Sequence, residues 1–188
     1  MASTYASGNV TTAKQGTTGT VWRAPKGTAL PTDAVTALNA AFKNLGHISE
    51  DGVTFSDSKE VEEIKNMDGV TVYTVQTSFT STMNCSLIEG LNTEVLKAHY
   101  GEDAVTGTLS AGIETVVSGG EPDECVWVFE SILRDGVLQR IVIPNGKVTE
   151  TGDIVYKNNE PLAHELTITA SADDSGAVRY EYIKGKAA

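Results

Sequence analysis

From Tyr73 to Leu87 the chain alternates without a break. The odd positions read Tyr73, Val75, Thr77, Phe79, Ser81, Met83, Cys85 and Leu87; the even positions read Thr74, Gln76, Ser78, Thr80, Thr82, Asn84 and Ser86. Side chains on an extended strand point alternately to two faces. The stretch therefore predicts one strand with a mostly apolar face and an opposite face of hydroxyls and amides without a single charge. At about 3.4 Å per residue it spans roughly 50 Å, whereas an ordinary strand has about five or six residues. Such a strand suits the building of a surface better than the housing of a reaction.

The same reading predicts further strands. Val53 to Lys65 is a charged, partly alternating strand before the long one. Cys125 to Arg134 contains Val126, Trp127, Val128 and Phe129, apolar on both faces, which marks a central strand. Val137 to Pro144 follows it. Leu162, His164, Leu166, Ile168 and Ala170 alternate with Ala163, Glu165, Thr167 and Thr169. A last strand runs over Val178 to Ile183. Asp51-Gly52, Asp68-Gly69 and Asp135-Gly136 are hairpin signals, because both residues tolerate positive φ. Two helices are expected. A short one covers Ala34 to Phe42, capped by Thr32 or Asp33; a clearer one starts at an N-cap Thr93, carries Lys97 and His99 in its last turn and stops at Gly101. Glu102 to Gly120 reads as a loop around one strand, Leu109 to Val117.

Residues 1–20 are rich in Thr, Ser, Gly and Ala and have no hydrophobic period. Such a segment buries too little apolar area to offset its ordering entropy, so a flexible arm is expected there, followed by a single domain over 21–188. No Asp or Glu precedes Asp33, whereas Lys14, Arg23 and Lys26 do. Beyond Lys26 stand 25 acidic residues against 11 basic ones, a net of −14. A basic arm on an acidic body is suited to lie on another copy of that body, and Lys14, Arg23 and Lys26 are its candidate contacts. The formal charge of −11 over the 188 residues argues against tight nucleic-acid binding, which needs basic patches. The N-terminus lacks the layout of a secretion signal, and no apolar run approaches membrane-spanning length.

The search for chemistry finds no catalytic constellation. His47, His99 and His164 share no ligand spacing; His164 reads as a hydrogen-bonded core residue and His99 as a helix C-terminal charge. Cys85 and Cys125 lack CxxC spacing and read as buried thiols. No phosphate loop, GxSxG or HExxH occurs. The cluster Glu60, Glu62 and Glu63 reads as a solvated strand face. No enzyme activity, cofactor or metal is expected.

Trp22-Arg23-Ala24-Pro25-Lys26-Gly27-Thr28-Ala29-Leu30-Pro31-Thr32-Asp33, Leu45-Gly46-His47-Ile48-Ser49-Glu50-Asp51-Gly52-Val53 and Gly152-Asp153-Ile154-Val155-Tyr156, with Leu166 to Ala170 and Tyr180 to Ile183 at the end, resemble in order and spacing the major tail tube protein of long, non-contractile-tailed bacteriophages. The resemblance covers most of Trp22 to Ile183. It implies a mainly β protein: a β-sandwich or barrel-like subunit with one flanking helix. It implies six-membered rings whose inner strands form a continuous barrel, stacked into a tube that encloses the tape-measure protein and conducts DNA. The partners it implies are copies of the chain, the tape-measure, tail terminator and baseplate proteins, and DNA in passage without specific binding or any membrane. The place it implies is the virion tail, assembled in the cytoplasm of the bacterial host.

Residue chemistry agrees with that resemblance. Ring closure removes exposed sheet edges. Thr74, Gln76, Ser78, Thr80, Thr82 and Asn84 are the candidate lumen-facing residues, offering DNA few cations. Six copies at −11 each carry about 66 negative charges per ring, so DNA would slide rather than bind. The alternatives are a carbohydrate-binding or adhesive β-sandwich, whose Gly101–Asp123 loop lacks aromatics for stacking on sugars, and another ring-forming tail component such as a terminator or baseplate protein.

Overall fold

The computed structural model describes residues 7–185. The strands are β1 (Ala13–Gln15), β2 (Val21–Pro25), β3 (Lys43–Asn44), β4 (Ile48–Lys65), β5 (Thr71–Leu87), β6 (Val105–Thr108), β7 (Gly112–Thr115), β8 (Cys125–Leu133), β9 (Leu138–Thr151), β10 (His164–Ser171) and β11 (Tyr180–Lys184); one helix, α1, covers Thr93–Tyr100. The fold is mainly β, as expected. The main path runs β3-β2-β8-β9-β10-β5-β4, with β1 on β8, β11 on β9, and β6–β7 a separate pair. All its pairings are antiparallel.

The sheet folds over itself at β9. Leu138 to Val142 pair with β11, whereas Asn145 to Thr151 pair with β10. The bend falls at Pro144, Asn145 and Gly146, where the β8 ladder also shifts register. Proline lacks the N–H that a regular ladder requires. Glycine leaves room: a Cβ on Gly146 would lie 2.6 Å from Trp127 Cδ1 and 2.8 Å from Ile168 Cγ2. Trp127 Nε1 donates to the Gly146 carbonyl at 3.1 Å, which pins the corner.

The fold-over encloses the main core. Val21, Cys125, Trp127 and Ile143 face Met83, Cys85, Leu87, Leu166 and Ile168, with Val95 and Ala98 of α1 closing one side. The other face of β8 presents Val126 and Val128 to a second cluster with Ala24, Phe42 and Val142. β8 is therefore buried on both faces, as its apolar run implied.

Leu30, Leu38, Ala41 and Phe42 cover that second cluster without the expected helix. Asp33 does cap: its Oδ1 accepts the Val35 and Thr36 N–H groups at 2.7 and 2.6 Å. However, the Asp33 carbonyl accepts from Arg140 Nη1 at 2.7 Å. That carbonyl would otherwise take the first intrahelical hydrogen bond, and the segment remains irregular. The other helix forms one residue away from the expected cap, with Asn92 Oδ1 accepting from the Glu94 N–H at 3.0 Å. Asp68-Gly69 and Asp135-Gly136 both make turns, the latter with φ of 61° and 78°. Asp51-Gly52 does not: Gly52 has φ 77° inside the continuous β4, where the register shifts. It is a bulge. The expected loop strand over Leu109 to Val117 is instead the short β6–β7 hairpin.

Gly146→Ala tests the corner. Overpacking of this kind costs about 1–3 kcal/mol, so the urea midpoint, read by Trp fluorescence, is expected to fall. A midpoint equal to that of the parent rejects the pinned corner.

Candidate assembly surface

β4 and β5 pair from Val53–Cys85 outward to Lys65–Thr71. β10 covers β5 only from Ser81 to Leu87. Beyond Ser81 and Asp57 the two strands leave the body as a free ribbon, closed by the turn at Asn66 to Val70.

The body ends at a polar stopper. Ser81, 2% exposed, donates its hydroxyl to Asp57 Oδ1 at 2.6 Å. Arg179 Nη2 pairs with Asp57 Oδ2 at 2.8 Å, and its guanidinium lies 5.2 Å over the Phe55 ring. The Ser81 hydrogen bond, assisted by Arg179, holds the Asp57 carboxyl below its ordinary range. Past this point nothing lies over the ribbon. The β5 face that holds Met83 in the core reaches Phe79, 40% exposed. At Thr77 the register shifts, so Val75 and Tyr73, 38% and 63% exposed, turn to the face of Ser78 and Thr80. Ile64, opposite Tyr73, is 49% exposed. Lys59, opposite Phe79, sets its ammonium over that ring.

The opposite face is the hydroxyl one. Thr80 is exposed and Ser78 half-buried on the ribbon, and Thr82 and Asn84 are half-buried on the body. Thr74 and Gln76, exposed beyond the register shift, share the face of Phe79 and not that of Thr80. None of the six lies in the packed core. The register widens this face: Thr82 is flanked by Ser56 and Thr169, and Asn84 by Thr54 and Thr167. Thr149 Oγ1 lies 2.8 Å from Thr169 Oγ1. The front thus spans β4, β5, β10 and the end of β9, with Glu165 and Lys147 beside the hydroxyls. Sequence reasoning identified the β5 portion alone. The even-spaced Thr54, Ser56 and Ser58 and the Thr167, Thr169 pair were the signals for the rest.

The three expected arm cations lie apart. Lys14 is exposed on β1. Arg23, 8% exposed within β2, pairs with Glu102 and donates to the Lys97 carbonyl at 3.4 Å. Lys26 pairs with Glu124. The charges of Arg23 and Lys26 are thus engaged inside the subunit, because the basic stretch includes a core strand. Residues 1–6 of the expected arm lie outside the described residues, and Ala13–Gln15 is paired in the sheet.

The titratable groups form no evident reaction centre. His99 and His164 meet edge to face with ring centroids 4.9 Å apart, where α1 crosses β10. Neither Nδ1 has a hydrogen-bond partner. Burial, then the neighbouring His164, depresses His99 to about 4, and burial lowers His164 as well. His99 is therefore a neutral packed ring near pH 7 and not the expected charge at the helix end. His164 is buried, as its place on the apolar face implied. Burial pushes the Cys85 thiol up to about 12 and raises Cys125, so neither is a reactive thiolate. Among the described residues no group of three or more His, Cys, Asp or Glu is placed to hold a metal ion. No helix among them is long and apolar enough to cross a membrane.

Residues 6–188 match a protein-family model described as phage tail tube protein. A comparison with curated proteins gives no match.

The histidine pair sets an acid response. The unfolded imidazoles take up protons near pH 6.5, whereas folded His99 does so only near 4. The unfolded chain binds more protons in between, so stability is full above about 6.5 and declines as pH falls toward 4. Asp33 and Asp173, held near 2 by local hydrogen bonds, respond at lower pH. Urea midpoints are expected to fall from pH 6.5 to 4.5 in the parent and to stay nearly level in a His99→Gln, His164→Gln double variant. An equal slope in both refutes the assignment.

Proposed function

The chain belongs to the phage tail tube protein family, and from that premise we propose that its copies close into six-membered rings stacked as a hollow tube. It is a structural component of the phage tail, and assembly with its own kind is what the family implies. The finer reading concerns the use of each surface.

The observation that carries it is the free β4–β5 ribbon. Ile64, Tyr73 and Val75 form an exposed apolar group on one face of it, and Phe79 is exposed on the other, in a single copy. Contiguous exposed apolar surface of this kind marks an interaction site, and another copy of the chain is the partner in a polymer. The hydroxyl front is assigned to the bore, with Ser78, Thr80, Thr82 and Asn84 turned inward; Thr74 and Gln76, expected with them, face the other way beyond the register shift. Hydroxyls and amides hydrate well and give phosphate little to bind, while the net negative charge repels it. The bore would hold the tape-measure protein before DNA passes. Terminator and baseplate proteins would meet the tube ends, and assembly would take place in the host cytoplasm. Lys14 is retained as an arm contact to a neighbouring copy. The proposed domain division remains an arm over 1–20 and a body over 21–188, with β1 lying within the arm.

Negative-stain microscopy of the purified chain is expected to show hollow filaments of uniform width. Monodisperse rings instead favour a terminator-like part, and lone monomers reject the reading. Ile64→Ser with Tyr73→Ser removes a largely exposed apolar pair that faces across the ribbon. It is expected to shift folding stability by less than about 0.5 kcal/mol and to abolish filaments; full-length filaments from this variant reject the ribbon as an assembly surface. Thr80→Lys and Thr82→Lys are expected to slow genome delivery, and normal delivery by both rejects the bore assignment.

A further inference from the structure

β1 and β2 lie end to end along one edge of β8. Ala13 to Gln15 pair with Leu133 to Ser131, and Val21 to Pro25 pair with Phe129 to Cys125. On β8 only Glu130 separates the two ladders, its N–H donating to the Thr20 carbonyl at 2.8 Å. On the opposing chain residues 16–20 intervene and are looped out. The edge of β8 is thus filled by one strand in two pieces, with slack stored between them.

The two pieces are held very differently. In β2, Val21 and Ala24 are fully buried. In β1 all three residues are exposed. Its side-chain ties are Gln15 Nε2 to the Ile48 carbonyl at 3.4 Å and Gln15 Oε1 to His47 Nδ1 at 3.3 Å. Nearby, Thr11 Oγ1 accepts from the Arg134 N–H at 3.0 Å. The few ladder hydrogen bonds of so short a strand contribute little net, and ordering its residues costs a comparable amount of entropy. β1 is therefore close to balance on its own β8. The loop is compact because it is glycine-bounded: a Cβ on Gly16 would run into the Gly19 carbonyl, and one on Gly19 would lie 2.7 Å from Trp22 Cζ2. Drawn straight, its five residues reach about 17 Å, more than three strand spacings of about 4.8 Å.

We propose that β1 is an exchangeable strand: in the assembled polymer, residues 13–15 of each copy leave their own β8 and pair with Ser131 to Leu133 of a neighbouring copy. This rests on the tube reading above. The occupant is specified by the structure, since the groove beside Ser131 to Leu133 already holds this same segment in register. Exchange remakes every ladder and side-chain bond in trans and changes only the loop. Trading an identical element between protomers is a low-cost route to association. It ties neighbours together without exposing a new apolar surface on the free subunit.

Cysteine pairing tests this. Ala13 and Leu133 face each other across the ladder, at a spacing that suits a disulfide. The native thiols are buried and raised in pKa, so they stay silent. The double variant Ala13→Cys, Leu133→Cys, oxidised as a monomer, is expected to close an internal disulfide. Separate Ala13→Cys and Leu133→Cys chains are then co-assembled, oxidised and run on a non-reducing gel. At least tenfold more mixed dimer in filaments than in the unassembled mixture is the expected result. Filaments without mixed dimer overturn the exchange and leave the tube reading standing; parent chain that forms no filaments overturns both. If either substitution disturbs assembly, Gln15→Cys with Ser131→Cys reads the same ladder at another rung, with the same outcomes.

Discussion

A strand pair longer than the sheet that receives it carries its alternation past the end of the core. That is the governing constraint in this chain. Tertiary packing covers β5 only from Ser81 inward, where β10 lies beside it and the other half of the folded sheet lies over it. The Asp57, Ser81 and Arg179 cluster seals the last buried layer. Past it Phe79 is left without a partner above it, and beyond the register shift Ile64, Tyr73 and Val75 are exposed on the other face. The single subunit is well packed within its body and carries exposed apolar side chains along its ribbon.

The body makes that extension possible by being firmly cornered. β9 turns the sheet over at Pro144 to Gly146, and Trp127 holds the turn through both its ring and its indole N–H. This brings the apolar sides of β5 and β10 onto β8 and leaves their hydroxyl sides outermost. The front is therefore a consequence of where the fold-over places the core. The register also places Glu60, Glu150 and Glu165 on that front with Lys147, so it shares in the subunit's negative charge.

Assembly elements belong at the low-stability end of a structure, since they must move without unfolding the rest. The β8 edge shows that division within one line of chain. β2 is anchored by buried Val21 and Ala24, and β1, five residues before it, is anchored by almost nothing apolar. The proposed exchange of β1 would use that division, because β2 keeps the edge of β8 anchored while β1 moves.

Strand identity was legible because period-two alternation is a local property. β5, the apolar β8 and the alternating β10 were readable from their own residues, as were the turns at Asp68-Gly69 and Asp135-Gly136. The hydroxyl face of β5 was readable from Asn84 to Ser78, whereas the slip that turns Gln76 and Thr74 away, and the widening across β4, β9 and β10, required the pairing register. Distant residues decided the remainder. Arg140 reaches the Asp33 carbonyl, and the segment behind that cap packs on the second cluster as irregular chain. The partner strand turned Asp51-Gly52 from a hairpin into a bulge. His164 made a buried neutral ring of His99, and Glu102 drew Arg23 inward. The sequence by itself determined which side chains share a face as long as a strand alternates without interruption, because adjacent backbone sets that geometry. The partner strand's register decided where the alternation slips, as at Thr77. Only the tertiary structure decided where each face stops being covered, because that depends on which strand, many residues away, comes to lie over it.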